Sequence, residues 1–286
     1  MTSETLDVRV AAAGAELVSL RHRTFGELLW GAEAIWPQHA PNLFPIVGQL
    51  AGDTLRYRGK RYPMGRHGFA RKRDFRFVQR NDVQCVMALE DDSDTLEQFP
   101  FPFRFEIRYA VSAEALGVTY SVSNTGRETL PASVGAHPAF RWPLVEGTPK
   151  ERHTLEFSKP EPGPVRRLRS GLLEAREYAS PVEGRTLHLS EALFDADALI
   201  WLDPAGTSVR YTASDANPSA PAIEVSWQGF RDLGVWSKPG AAFLCIEPWY
   251  GYASPLDFTG DFDTKPGLLH IAPGQSCMLT MRIAVS

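Results

Sequence analysis

A single carboxylate, Glu247, lies within the apolar and aromatic segment 243–251, which reads FLCIEPWYG. Alternate side chains of a strand point to opposite faces, so Glu247 is predicted to share one face with Cys245 and Trp249. Burying an unpaired carboxylate is costly. Glu247 is therefore expected to be either paired or used in chemistry.

Two histidines occupy comparable settings, His67 in the segment HGFAR and His137 in the segment GAHPAF. His137 and Glu247 each precede a proline, a position that is biased toward extended backbone. Imidazole and carboxyl groups are the common side chains of general acid/base catalysis. The three residues are predicted to act as acid/base groups in a pocket for a neutral polar ligand. The alternative for each is a buried polar group with satisfied hydrogen bonds.

Other kinds of chemistry find less support. Two histidines and a glutamate are a common metal-ligand set, but compact spacings such as HExxH are absent, and no metal is predicted. The patterns GxSxG, GxGxxG and the P-loop are also absent, which argues against a serine nucleophile and a nucleotide cofactor. Cys245 is interpreted as a packing residue, and no cofactor is predicted.

Trp249 has two interpretations. Seven tryptophans in one chain usually indicate core packing. Trp249 differs from the others because it lies two residues from Glu247, and flat aromatic faces beside a few polar groups are typical of ligand sites. Trp249, or its neighbour Tyr250, is predicted to line the pocket.

The elements that would hold these residues are predicted to be strands. Apolar residues recur at every second position in 83–89, 103–111 and 279–285. Further strand candidates are 118–123, 153–158, 198–202, 208–212, 222–226 and 243–247. Turn signals such as Asn124-Thr-Gly separate them. Residues 170–178 and 190–194 are predicted to form at most short helices or turns. The pattern indicates an all-β sandwich or barrel.

Composition and charge restrict the class of protein. The 286 residues are 43% hydrophobic, enough for a sizeable core, and the net charge of −4 gives no indication of nucleic-acid or anionic-membrane binding. Three scattered cysteines indicate neither a disulfide framework nor a zinc site. No signal peptide or transmembrane stretch is recognisable, so a cytoplasmic protein is expected. The composition does not change across the proline-rich stretch 159–164, and a single domain over residues 1–286 is predicted.

The segments that carry the candidate residues resemble the aldose 1-epimerase (galactose mutarotase) superfamily, specifically its LacX-like branch. They occur in the family's order and span nearly the whole chain. The matching segments are PNLFPIVG at 41–48, HGFAR at 67–71, GAHPAF at 135–140, GVWS at 234–237 and CIEPW at 245–249. The resemblance implies a large antiparallel β-sandwich, the galactose mutarotase-like supersandwich, with an open concave face that binds a monosaccharide.

The resemblance also implies an isomerase that interconverts α and β anomers through the open-chain aldehyde, with no metal or cofactor. By matched motif, Glu247 would be the general base and His137 the general acid, while His67 would hydrogen-bond the ring region. A carboxylate near a histidine favours the protonated imidazole, so His137 is expected to hold the proton that it gives. The two groups are expected to face each other across a hollow wide enough for a pyranose.

Substrate-binding residues follow from the same resemblance. A family aspartate that binds sugar hydroxyls matches Asp197, with Asp195 and Asp203 as alternatives. Gln49 stands where many relatives carry an arginine, whose fork grips hydroxyls or phosphate in ways an amide does not. Arg71 is the residue that would substitute for it.

The resemblance leaves two alternatives to a free-sugar epimerase. The HGFAR form also occurs in hexose-6-phosphate 1-epimerases, where arginines hold the phosphate, and Arg66, Arg71 and Arg73 keep that alternative open. The second is a carbohydrate-binding or sensory protein of the same fold without turnover. The predicted partner is a small-molecule sugar, not nucleic acid or membrane, and the predicted assembly is a monomer or homodimer.

Overall fold

The computed structural model describes residues 1–213 and 220–286, which form many β-strands and little helix. The strands are β1 (Leu6–Val10), β2 (Leu17–His22), β3 (Gly26–Glu27), β4 (Asn42–Leu43), β5 (Thr54–Tyr57), β6 (Lys60–Pro63), β7 (Arg76–Arg80), β8 (Gln84–Glu90), β9 (Phe103–Val111), β10 (Ala115–Asn124), β11 (Leu130–Ala132), β12 (Val134–Ala136), β13 (Ala139–Arg141), β14 (His153–Phe157), β15 (Leu168–Arg169), β16 (Leu172–Leu173), β17 (Thr186–His188), β18 (Leu199–Leu202), β19 (Ser208–Ala213), β20 (Ile223–Gln228), β21 (Asp232–Trp236), β22 (Phe243–Tyr250), β23 (Leu269–Ile271) and β24 (Ser276–Val285). The helical segments are α1 (Ser93–Leu96) and the 3-10 turns Ala51–Asp53, Ala70–Lys72, Lys150–Arg152, Glu191–Phe194 and Phe262–Thr264.

Two antiparallel sheets form the body of the molecule. The larger sheet has the strand order β17-β14-β19-β20-β24-β10-β9-β8-β7. The second has the order β18-β21-β22-β12-β4, with β13 also paired to β22. Smaller pairings join β1-β2-β3, β5-β6, β11-β23 and β15-β16. The all-β prediction is therefore confirmed.

The long central strands have the alternation of buried and exposed side chains that the sequence predicts. In β9 every second side chain, from Phe103 to Tyr109, is buried, while the intervening polar side chains are partly or fully exposed. The neighbouring strand β10 has the same alternation. A period of two buries one face of a sheet and solvates the other.

The two sheets pack face to face. Phe44, which directly follows β4 of the second sheet, stacks on Phe105 of the larger sheet at 4.5 Å between ring centroids. The buried Asn42 side chain joins the layers, because its Nδ2 donates to the Tyr109 hydroxyl and its Oδ1 accepts from the Tyr120 hydroxyl, at 3.2 and 3.0 Å. The main hydrophobic cluster contains residues from β1 to β24, which favours the single-domain prediction.

Strand β22 is buried on both faces, and its two faces do different things. Leu244 and Ile246 pack into the main cluster between the sheets. The alternate side chains point away from that cluster: Cys245 packs in a small separate cluster with Phe243 and Trp30, and Trp249 packs in another. The predicted alternation along 243–249 is confirmed.

The predicted strands have counterparts in the structure, and residues 190–194 contain the short helical turn Glu191–Phe194. Residues 170–178 begin with the turn of the β15–β16 hairpin and form no helix. Strand β21 (Asp232–Trp236) was missed, because four of its five residues are buried and leave no alternation to read. Within residues 1–213 and 220–286, no helix has the length and apolar character needed to cross a membrane.

Candidate active site

Strand register brings His137 and Glu247 together. On one side of β22, Gly135 pairs with Trp249 and Ala139 pairs with Cys245. In an antiparallel pairing the partner number falls by one as the residue number rises by one, so residue 137 lies opposite residue 247. Directly opposed side chains have Cβ atoms about 5 Å apart. The chain thus places an imidazole beside a carboxyl across 110 residues of sequence.

We refer to His137 and Glu247 as the acid/base pair. His137 Nε2 lies 3.3 Å from Glu247 Oε2. The angles of this contact do not satisfy hydrogen-bond geometry, and Oε2 has no hydrogen-bond partner in the described structure. His137 is 7% exposed and Glu247 is 1% exposed, so water solvates neither group well.

Burial sets the protonation of the pair. It raises the pKa of Glu247 well above its usual value, and nearby Asp197 acts in the same direction, while the indole of Trp249 opposes the shift. Burial also lowers the pKa of His137 to about 3, with a smaller contribution from the positive charge of Arg71. Both shifts favour the uncharged forms. The form that burial favours has one titratable proton, on the carboxyl, beside a neutral imidazole.

Two expectations about this pair were wrong. His137 was expected to be protonated because of the nearby carboxylate, but desolvation outweighs that attraction when both groups are buried. The two groups were also expected to face each other across a hollow. They are instead direct neighbours, with His137 between β12 and β13 and Glu247 opposite it on β22, and both line the same cavity.

His67 lies beside the acid/base pair, with its ring centroid 5.6 Å from that of His137. Its backbone has a φ of +65°, a left-handed conformation that costs a non-glycine residue about 1–2 kcal/mol. Two contacts with Gly48 hold it there. The His67 amide donates to the Gly48 carbonyl at 2.7 Å, and the Gly48 amide donates to His67 Nδ1 at 3.2 Å.

The contact with Gly48 also determines the tautomer of His67. Because Nδ1 accepts a hydrogen bond, the proton of the neutral ring is on Nε2. Burial lowers the pKa of His67 well below its usual value, and His137 and Arg71 add to the effect. His67 is therefore a neutral imidazole whose Nε2–H is free to donate to a ligand.

Trp249 lies across the strands at the site because two glycines leave room for it. A Cβ on Gly234 would lie 2.4 Å from the Trp249 ring, and a Cβ on Gly135 would lie 2.7 Å from it. Trp36 and Trp236 pack on His137, with ring centroids 5.2 and 5.8 Å away. The imidazole is thus held between aromatic rings.

The three side chains predicted as catalytic and Trp249 line one cavity of about 520 Å³. Arg71 and Asp197 also line it, and so does Asp195. The other lining residues include Trp36, Gln38, Pro41, Val47, Gly48, Arg66, Leu168, Gly171, Phe194, Ala198, Ile200, Trp236, Pro239 and Ala253.

Gln49 and Asp203 are not among the residues that line the cavity. Gln49 lies behind the rim, where its Oε1 accepts from Arg66 and its Nε2 donates to Asp53. Asp197 has a left-handed φ of +68°, and its carboxylate accepts from the amide of Ala198 at 2.8 Å.

Residues 166–173 form one wall of the cavity and give the 159–185 excursion a structural role. Leu168 and Gly171 of the β15–β16 hairpin line the cavity. The hairpin tip closes on the rim, because a Cβ on Gly171 would lie 2.2 Å from Gln49 Oε1 and 2.6 Å from Arg66 Nη2. Arg167 Nη1 donates to the carbonyls of Leu193 and Asp197, both at 2.9 Å, and so ties the wall to the Asp197 loop.

Sequence reasoning did not identify several lining residues. Trp36 and Gln38 lie in a segment without regular alternation, and only the spatial contact of Trp36 with His137 reveals a role for it. Trp236 was noted as part of a motif, but nothing indicated its packing on His137. The sequence predicts no metal, and the ligand set considered as an alternative is two histidines and a glutamate. In the structure His137, Cys245 and Glu247 offer three ligand atoms within 4.8 Å of one another, so the third member of the cluster is Cys245 and not His67.

The model of the aldose 1-epimerase family matches residues 1–256. The chain belongs to the aldose 1-epimerase family. It is also 30% identical over 284 residues to the plasmid-encoded protein LacX of Lactococcus lactis subsp. lactis, covering 96% of this chain and 94% of that protein.

Solved structures of family members agree with this assignment. A galactose mutarotase related enzyme from Lactobacillus acidophilus is 30% identical, with a TM-score of 0.94 over 100% of this chain and 96% of that one. A galactose mutarotase-like protein from Lactobacillus casei is 26% identical, with a TM-score of 0.91 over 100% and 99% of the two chains. The fold is the galactose mutarotase-like antiparallel β-sandwich, as the resemblance implied.

Proposed function

We propose that the protein is an aldose 1-epimerase that interconverts the α and β anomers of a free monosaccharide. The observation that carries this proposal is the acid/base pair in the cavity. O1 and O5 of a pyranose are bonded to the same carbon, C1, so the groups that exchange protons with them must be neighbours. His137 and Glu247 satisfy that requirement at 3.3 Å. The cavity volume of about 520 Å³ is typical of small-molecule sites.

The single proton of the pair matches the reaction. Moving it from Glu247 to His137 gives a carboxylate base and an imidazolium acid without a net change of charge. Glu247 then takes the proton of the O1 hydroxyl while His137 protonates O5. The C1–O5 bond breaks, C1=O1 forms, and the pair returns to its neutral form. After rotation about C1–C2, the reverse transfers close the ring on the other face.

The surrounding groups support the binding of a sugar. The free Nε2–H of His67 is a donor for an oxygen of the ring region, and the Asp197 carboxylate is an acceptor for sugar hydroxyls. Trp249 supplies a flat apolar surface for the C–H face of the ring, the role that aromatic side chains commonly have in ligand pockets.

The two arginines that line the cavity, Arg66 and Arg71, are balanced by two aspartates, which supports a neutral sugar over a sugar phosphate. Arg71 Nη1 and Nη2 already donate to Gln38 Oε1 and to the Arg66 carbonyl. The carboxylates of Asp195 and Asp197 line the same cavity and would repel a phosphate dianion. We therefore propose free aldoses as the substrate class.

The proposal is tested by NMR exchange spectroscopy of anomer interconversion, with neutral aldoses and their 6-phosphates in parallel. Wild-type protein should accelerate exchange of at least one neutral aldose. Glu247→Gln should lose about 10²- to 10⁴-fold in kcat/KM, because the amide cannot accept the O1 proton. Glu114→Gln, in the exposed turn between β9 and β10, is the matched control and should keep full activity.

Three outcomes would count against the proposal. Full activity of folded Glu247→Gln would remove the general base from the mechanism. Acceleration confined to 6-phosphates would favour the hexose-6-phosphate epimerase. Sugar binding without any acceleration of exchange would favour the non-catalytic binding protein.

A further inference from the structure

The acid/base pair has a thiol neighbour that the proposed mechanism does not use. Cys245 precedes Glu247 by two residues on β22, so both side chains leave the same face of the strand. The Cys245 Sγ, a ring nitrogen of His137 and a carboxylate oxygen of Glu247 all lie within 4.8 Å of one another. The thiol is a free cysteine and fully buried.

The spacing suits a tetrahedral metal ion. With metal–sulfur bonds of about 2.3 Å and metal–nitrogen or metal–oxygen bonds of about 2.0–2.2 Å, tetrahedral ligand atoms lie about 3.3–3.7 Å apart. His137 Nε2 and Glu247 Oε2 already have a separation of 3.3 Å. Since the three ligand atoms lie within 4.8 Å of one another, side-chain rotations that bring them about 1 Å closer together would complete the set.

The local polarity gives a second, independent indication. Glu247 Oε2 is buried without a hydrogen-bond partner in the described structure, although burying such an atom alone is costly. Because Glu247 and His137 line the cavity, an ion can reach them from it, and three protein ligands leave a fourth coordination position unfilled. Three protein ligands with one open position are typical of accessible zinc sites.

The charges also balance. Binding replaces the thiol proton and the single proton of the acid/base pair, leaving a thiolate, a carboxylate and a neutral imidazole around a divalent cation. The buried group is then neutral overall, which avoids most of the cost of burying a lone charge. A thiolate and an imidazole select Zn²⁺ over the hard ions Mg²⁺ and Ca²⁺.

We propose that His137, Cys245 and Glu247 form a binding site for Zn²⁺ or a similar thiophilic divalent ion, and that the bound ion inhibits the enzyme. The ion would occupy the lone pairs of His137 and Glu247 that exchange protons with the sugar. It would thus be an inhibitor and not a cofactor. The inhibition rests on the proposed function, whereas the binding does not.

Binding is measured with the chelator-treated full chain titrated with ZnCl₂ by calorimetry, and with CoCl₂ by absorption. Wild-type protein should bind one ion, and cobalt should give a thiolate-to-cobalt charge-transfer band. Cys245→Ser should abolish that band and weaken zinc binding by more than about 100-fold. Loss of a hydrogen-bond partner of a metal ligand already lowers metal affinity about 10–100-fold, and loss of the ligand itself should lower it further. Cys277→Ser is the matched control and should retain both signals.

Activity provides the second measurement. Zinc should inhibit anomer exchange by wild-type protein, and added chelator should restore the rate. Whatever activity Cys245→Ser has should resist zinc at the same concentration. Zinc binding of unchanged strength in folded Cys245→Ser, or a wild-type protein that binds neither ion, would overturn the proposal. If the enzyme proposal alone is wrong, the cobalt band and its loss in Cys245→Ser will persist without any exchange activity.

Discussion

Two buried pairs of an acid and a base lie near strand β22 and have different surroundings. The acid/base pair, His137 and Glu247, lines the cavity. The second pair, which we term the sealed pair, is Asp232 of β21 and Lys265, which are 0% and 2% exposed and do not line it. Asp232 lies opposite Trp249 in the register of β21 and β22, two residues along β22 from Glu247.

Desolvation acts on both pairs in the same way. Burial raises the pKa of Asp232 to about 6, and burial lowers the pKa of Lys265 to about 7, partly opposed by Asp232. The sealed pair is nevertheless used for structure. Asp232 Oδ2 accepts from the Gly251 amide at 2.9 Å, and Lys265 Nζ donates to the Pro266 carbonyl and lies 4.8 Å from the centre of the Tyr252 ring. A perturbed pKa therefore marks burial, and access to a cavity decides which pair can do chemistry.

The largest expected effect is on the pH dependence of stability that Lys265 of the sealed pair causes. Between pH 7 and 10 the unfolded chain keeps the Lys265 proton while the folded chain has lost it, so wild-type stability gains with pH. Below pH 7 both the folded and the unfolded chain hold the proton, so the buried ammonium lowers the free energy of unfolding by its full desolvation cost. Lys265→Met removes this dependence, so wild type should gain about 3–5 kcal/mol of unfolding free energy relative to the variant between pH 7 and 10.

This difference is measured by urea unfolding at a series of pH values, which cancels the other titrating groups. Lys60→Met replaces an exposed lysine of β6 and should show no pH-dependent difference from wild type. Parallel curves of unfolding free energy against pH for wild type and Lys265→Met would mean that burial does not shift the pKa of Lys265. The two pairs would then not share the effect of desolvation.

The second prediction concerns the pH dependence of the acid/base pair. The one-proton form is lost in acid when His137 gains a proton, and its pKa is lowered to about 3. It is lost in base when Glu247 gives up its proton, and that pKa is raised. Therefore kcat/KM for anomer exchange, corrected for the spontaneous rate, should not fall from pH 7 to pH 5. If the histidine had an ordinary pKa of 6.5 and had to be neutral in the free enzyme, kcat/KM would fall about 25-fold over that range.

The third prediction changes the shape of the accessible site. Gly234→Ala would place a Cβ 2.4 Å from the Trp249 ring, so the ring must move. We expect a loss of about 1–3 kcal/mol of unfolding free energy and a higher KM. Gly117→Ala is the control, because the nearest atom to its Cβ is the Ala110 carbonyl oxygen at 3.7 Å. Equal stability of the two variants in urea would show that the ring does not need the space.

The smallest effect concerns a positioning residue behind the wall. Arg167→Met removes the donor that ties the hairpin to the carbonyls of Leu193 and Asp197. The loss of about 1 kcal/mol from these bonds should raise KM roughly fivefold and leave kcat nearly unchanged. Arg167→Lys should restore part of the affinity, and Arg169→Met, two residues along the hairpin, should have no effect. A fall in kcat alone would contradict the positioning role.

Sequence alone determined the parts of this protein that depend on local periodicity. The alternation along 243–249 placed Glu247, Cys245 and Trp249 on one face, and the structure confirms it. The strands around β9 and β10 were equally readable, because one face of each is buried and the other is wet. The apolar settings of His67 and His137 single these two histidines out as well, and the family resemblance adds their roles.

Only the tertiary structure decided which groups meet and how they are charged. The register that sets residue 137 opposite residue 247 depends on strands more than 100 residues apart, and no local pattern encodes it. The neutral state of the acid/base pair, the sealing of Lys265 and the packing of Trp36 on His137 follow from burial by distant segments. Desolvation is a property of the packed environment, so it cannot be read from the residues themselves.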